Sequence, residues 1–192
     1  MPTFVAFLRA VNVRPRWVPM ERLRKHLSDS GFTAVETHIQ SGNVLLTTPM
    51  RSAAGVRDEL HQLLSAEFGF DIPVVVRTKQ ELQTLAAEVD DLPSPLSADS
   101  RVYVALVDGR VAAAGAAVLD GWDRPGERAL VRGSEVVLWL DVPAHSAKLT
   151  NARIERAAGS TATTRDVKVI RALAARWAGG AGPGNSAPGR AR

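Results

Sequence analysis

Along the first 177 residues, apolar positions switch repeatedly between runs that suit a strand and spacings that suit one face of a helix. Thr3–Leu8 reads as a strand. Pro19–Ser30 reads as a helix: Pro19 suits its first turn, Met20, Leu23 and Leu27 share a face, and Gly31 stops it. Ala34–Ile39 and Asn43–Thr48 read as strands around a Ser-Gly turn. Ser52–Phe68 is the next helix, with Val56, Leu60, Leu63, Leu64 and Phe68 inward and Gly69 as its stop. Ile72–Val76 is a short strand. Thr78-Lys79-Gln80-Glu81 has the form of a capping box and opens a helix through Leu82, Leu85, Ala86 and Val89.

Asp90–Ser100 holds Pro93, Pro95 and several Ser and Asp, which predicts a linker. The element order then recurs. Val102–Val107 reads as a strand and Arg110–Leu119 as an Ala-rich helix weakened by Gly115. Arg128–Arg132 and Glu135–Leu140 are strands around Gly133-Ser134. Ala147–Ala158 reads as a helix stopped by Gly159, and Thr161–Thr164 as a short strand. Asp166 caps a last helix with Val167, Ile170, Leu173 and Trp177 inward. Residues 178–192, rich in Gly and Pro with no large apolar side chain, read as a disordered tail.

The pattern therefore predicts an α+β protein of two tandem ferredoxin-like units, β-α-β-β-α-β plus a helix, each with an antiparallel sheet. The units span residues 1–90 and 101–177, with 91–100 as linker. The competing arrangement is one larger sheet shared by both halves. The repeat lies in element order, without residue identity between the halves.

Composition narrows the chemistry. Hydrophobic residues make up 45% of the chain and aromatics only 5%, so aliphatic side chains and Ala must build the core. Cys is absent, which removes disulfides, thiolate metal sites and Cys nucleophiles. The net charge is +4, but Arg190 and Arg192 of the tail supply two of those charges. No leader pattern precedes the first strand and no apolar stretch approaches the length of a membrane span, so a cytoplasmic protein without a membrane partner is expected.

Three groups of residues then stand out together: Leu8-Arg9-Ala10-Val11-Asn12-Val13, Gln40-Ser41-Gly42-Asn43-Val44 and Phe68-Gly69-Phe70-Asp71-Ile72-Pro73-Val74. With Lys148-Leu149-Thr150-Asn151 and Thr163-Thr164-Arg165, they make the chain resemble a bacterial family known as domain of unknown function 1697, over residues 3 to about 177. The resemblance implies a stand-alone bacterial α/β protein and carries no activity. Its first loop usually reads Arg-Gly-Ile-Asn-Val-Gly-Gly. Here Ala10, Arg14 and Pro15 replace the three Gly, which stiffens the loop and limits backbone approach to a ligand. Ala147 and Asp166 stand where the family has Ser and Asn.

In a β-α-β-β-α-β unit the first strand ends on the same edge as the hairpin joining the next two. Arg9, Asn12, Gln40, Ser41 and Asn43 converge there as a candidate site for an anionic small molecule or nucleotide. The same side chains equally serve to close turns and cap loops. In the second half, Ser146, Lys148, Thr164 and Arg165 form a second candidate anion site beside two helix N-termini, and they also suit plain capping. Lys148 and Arg165 would stabilise negative charge if the protein were an enzyme.

Other chemistry finds little support. His26, His38, His61 and His145 lack the spacing of a helical metal pair, so no metal is expected. No nucleotide fingerprint, phosphate loop or Ser-nucleophile motif occurs, and no cofactor is expected. RNA-recognition domains share this element order and stack bases on strand aromatics. The third strand here has none, while Tyr103 and Trp139 are offered by the second half. Nucleic-acid binding is expected to be weak and non-specific.

Overall fold

A computed structural model describes residues 1–178. Apart from Ala178, the tail expected over 178–192 lies outside the described residues. The N-terminal half runs β1 (Thr3–Leu8), α1 (Met20–Asp29), β2 (Thr33–His38), β3 (Asn43–Thr47), α2 (Ala53–Phe68), β4 (Val74–Thr78) and α3 (Lys79–Asp90). Residues 91–100 hold neither helix nor strand. The C-terminal half runs β5 (Arg101–Val107), α4 (Ala113–Asp120), β6 (Asp123–Arg124), β7 (Glu127–Arg132), β8 (Glu135–Leu140), α5 (Asn151–Ala158), β9 (Ala162–Asp166) and α6 (Val167–Leu173). A π-helical turn, Ala174–Ala178, follows α6.

The protein is α+β with two separate antiparallel sheets. The strand orders are β2-β3-β1-β4 and β6-β7-β8-β5-β9. β5 pairs with β8 and β9, so the halves do not share a sheet. The two-residue β6 is an addition that the sequence pattern does not announce.

Strand parity explains the layers. Phe4, Ala6 and Leu8 face outward with Val44, Leu46, Val74 and Val76, and α1 and α2 cover them through Leu23, Leu27, Val56, Leu60 and Leu64. Val5, Phe7, Leu45 and Val75 face the other half. There they share one core with Val104, Leu106, Val137 and Trp139, and with residues of α3 and α6. Ala105, Val107, Val136 and Leu138 face outward under α4 and α5. The unbroken apolar run Phe4–Leu8 is the sequence signature of a strand buried on both faces.

Gly115 does more than weaken α4. A Cβ there would meet Ala157 O at 2.1 Å, so the absent side chain is what lets α4 lie against α5. Helix α5 starts at Asn151, with Thr150 in the N-cap position, not at Ala147 after Ser146. The segment before it is tied to a distant carboxylate: Glu127, 3% exposed, accepts the backbone N–H of Lys148 at Oε1 (2.7 Å) and of Leu149 at Oε2 (2.9 Å). Burial works to raise the Glu127 carboxyl. The two N–H groups, Trp122 and Arg124 outweigh it and hold the carboxyl below its usual range. Asp166 caps α6 through Lys168 N, as the sequence predicts.

Candidate functional site

The halves hold each other through two arginines at matching places. Arg77 in β4 lies opposite Val5 of β1, and Arg165 in β9 lies opposite Val104 of β5. Both strands are sheet edges, and both side chains project to the shared inner layer. Arg165 Nε donates to Asn43 Oδ1 (2.7 Å), the first residue of β3. Its Nη2 donates to Leu8 O (2.8 Å), the last residue of β1, and to Ser41 O (2.9 Å). Arg77 Nε donates to Glu135 Oε1 (2.9 Å), the first residue of β8. Its Nη2 donates to Val107 O (2.7 Å), the last residue of β5, and to Ser134 O (3.2 Å). In both, Nη1 returns to the carbonyl of the preceding residue, Val76 or Thr164. Each half thus inserts one arginine into the end of the first strand and the hairpin of the other.

Both guanidiniums are buried, Arg165 at 8% exposure and Arg77 at 6%, and the crossings differ in what surrounds them. At the closed crossing Asn43 is fully buried and the Arg165 guanidinium lies 5.7 Å from the centre of the Phe7 ring, whereas Glu135 beside Arg77 is only half-buried. Burial lowers the Arg165 pKa to about 10, which still leaves it charged at neutral pH. The residues that the sequence singles out at this edge surround it. Asn43 Nδ2 donates to His38 O and Ser41 Oγ. Asn12 joins the first loop to the hairpin: Nδ2 donates to Gln40 O (2.5 Å) and Oδ1 accepts Val18 N–H (2.8 Å). Arg9 turns away from the hairpin to Glu155 Oε2 (2.6 Å) and Ala162 O (3.1 Å), both in the C-terminal half. Ala10 and Asn12 stand at φ 54 and 57, a conformation in which Ala carries strain.

The second candidate group is divided. Arg165 and Thr164 alternate to opposite faces of β9. Thr164 Oγ1 donates to Asn151 Oδ1 (2.6 Å) on the α5 side, while Arg165 joins the first group. Ser146 and Lys148 are exposed in the loop before α5.

The Arg77 crossing is open, and the sequence reading misses it. Beside it lies a cleft of ≈ 670 Å³, a volume suited to a small organic molecule. One wall is α3, with Gln80, Glu81, Thr84 and Glu88. The C-terminal half contributes Arg110 of the β5–α4 loop, with Arg132 and Ser134 at the β7–β8 hairpin. Arg57 of α2 closes one end by pairing with Asp108 (2.7 Å). Arg110 and Arg132 make no ion pair with any described residue. A signal was present: Arg77 ends an apolar run, Val74-Val75-Val76, at the parity of Val75, where a charge needs a partner.

Trp139 is 3% exposed in the inner core and Tyr103 packs with the outer layer, so the two face opposite sides of their sheet. Trp17 is 63% exposed. Among the described residues, no group of three or more His, Asp or Glu side chains is placed to hold a metal ion. Among them, too, no helix is long and apolar enough to cross a membrane.

A solved structure of similar fold is "the structure of conserved bacterial protein SP0830 from Streptococcus pneumoniae". It shares 21% identity with this chain at a TM-score of 0.68, covering 91% of this chain and 97% of that one. No curated protein matches the chain. The model of the family described as protein of unknown function (DUF1697) matches residues 1–137, and the chain belongs to that family.

Proposed function

We propose that this protein binds a small anionic molecule, and that the anionic group docks between Arg110 and Arg132 at the open crossing. The observation that carries this reading is a ≈ 670 Å³ cleft bordered by two arginines that lack a carboxylate partner among the described residues. Guanidinium groups form charge-assisted, often bidentate bonds to phosphate and carboxylate. The ligand class is the one the sequence suggests, moved to the matching edge of the other half.

The first edge, with Arg9, Asn12, Gln40, Ser41 and Asn43, is the competing location. There Arg9, Asn12 and Asn43 already hold intramolecular partners, and an anion would have to exchange those bonds for its own. The Ser146, Lys148, Thr164 and Arg165 group has the same difficulty at Thr164 and Arg165. The two halves are read as tandem ferredoxin-like units of 1–90 and 101–177 in a bacterial cytoplasmic protein. Their strand orders support that reading. Nucleic-acid binding is read as weak and non-specific, in line with a buried Trp139.

Titration calorimetry with inorganic phosphate, pyrophosphate and ethyl phosphate tests the proposal, with a short RNA as control. The expected result is saturable binding to the wild type, lost in the Arg110→Ala/Arg132→Ala double variant at unchanged thermal stability. Binding that survives both substitutions, or none of the anions binding at all, overturns the proposal. Tight RNA binding resistant to salt would replace it with a nucleic-acid function.

A further inference from the structure

Resting on the reading of the cleft as an anion site, we infer that its ligand is zwitterionic: a phosphate ester that also carries an amine, which faces Glu88 on α3. The cleft is lined by four arginines and four carboxylates, and half of these pair locally. Arg57 pairs with Asp108 at 2.7 Å and Arg77 with Glu135 at 2.9 Å. Glu81 is committed to the start of α3, where Oε2 accepts from both Thr78 N (2.7 Å) and Thr78 Oγ1 (2.9 Å).

Glu81 apart, three charged side chains of the lining have no ion-pair partner among the described residues: Arg110, Arg132 and Glu88. They come from different halves of the chain. The cations belong to the β5–α4 loop and the β7–β8 hairpin of the C-terminal half. The carboxylate belongs to α3, on the helix face that also presents Gln80 and Thr84 to the cleft at helical spacing.

A purely anionic molecule filling this space would bring its charge toward Glu88 and Glu81 as well as toward the arginines. Inorganic phosphate would occupy only a fraction of the volume. A ligand with opposite charges at its two ends satisfies the arginines and the carboxylate. Gln80 and Thr84 then supply neutral hydrogen-bonding groups to the part between.

The test compares aminoalkyl phosphates of increasing chain length, each against its amine-free alkyl phosphate, by titration calorimetry. The expected result is that at one length the amine tightens binding by about 3- to 5-fold, the range of a partly exposed ion pair. Glu88→Gln should erase that gain and leave alkyl phosphate binding unchanged or slightly tighter. The Arg110→Ala/Arg132→Ala variant should lose both ligands. If alkyl phosphates bind and the amine adds nothing at any length, the zwitterion is wrong and the anion site stands. A gain that persists in Glu88→Gln also overturns the assignment. If neither series binds, the anion site and the zwitterion fall together.

Discussion

Arg165 and Arg77 occupy matching positions, make matching bonds, and end in different surroundings. Arg165 meets a neutral amide, Asn43, and is closed in by Arg9–Glu155 and the Asn12 loop. Arg77 meets a carboxylate, Glu135, and borders the cleft. One geometry thus serves as a fastening in one place and as the floor of a cavity in the other. The difference follows from what the flanking loops contribute. The first loop folds back over its hairpin through Asn12, whereas the β5–α4 loop leaves Arg110 beside its own.

The comparison breaks most visibly at the closed crossing. Arg165→Met should cost about 3–5 kcal/mol, because the buried Asn43 Oδ1 and Leu8 O, together with Ser41 O, lose a charged donor. Arg77→Met removes four bonds where Arg165→Met removes five, and should cost only about 2–3 kcal/mol, since solvent in the cleft can hydrate Glu135 and Ser134. Urea unfolding of the two variants side by side measures the gap, and equal losses would remove the distinction between closed and open.

A smaller effect separates the arginines from the other buried charge. Glu127→Gln should cost about 1–3 kcal/mol near neutral pH, because the amide keeps a single acceptor oxygen and sets its NH2 donor against either the Lys148 or the Leu149 N–H. The Glu127 carboxyl is held below its usual range in the folded protein. Its contribution is therefore complete above the unfolded carboxyl pKa and is lost as pH falls through the lower folded value. The stability difference between wild type and Glu127→Gln should shrink on acidification. A difference constant with pH would show that the carboxylate charge is not what holds the segment.

The smallest effect lies in the first loop. Ala10 stands at φ 54, where glycine is free of strain. Ala10→Gly should raise stability by about 0.5–1 kcal/mol in thermal unfolding. A loss would mean that the Ala10 side chain contributes more by packing than its backbone costs.

The element order was legible because period and punctuation carry it: the capping box at Thr78, the stops at Gly31, Gly69 and Gly159, the hairpin at Gly133-Ser134. The edge formed by Asn12 and the Gln40–Asn43 turn was legible for the same reason, being local to one sheet. What one half does to the other was not. Nothing near Arg165 in sequence says that its acceptors are Leu8, Ser41 and Asn43, more than 100 residues away. Glu127 likewise binds the segment before α5 from 21 residues upstream. An Arg ending an apolar run was the available sign at Arg77, whereas Arg165 follows two Thr and gave no such sign. The cleft is a consequence of how the halves dock, which no local pattern encodes.

In the proposed reading the two crossings have parted, the closed one to hold the halves together and the open one to receive an anion. Backbone amide shift mapping by nuclear magnetic resonance during a titration with ethyl phosphate separates them. Shifts are expected to centre on Gly109, Arg110, Arg132, Gly133 and Ser134, with the amides of Asn12, Ser41, Gly42 and Asn43 unmoved. Shifts centred on Asn12 and the Gln40–Asn43 turn, with the β7–β8 hairpin silent, would contradict it and return the site to the first edge.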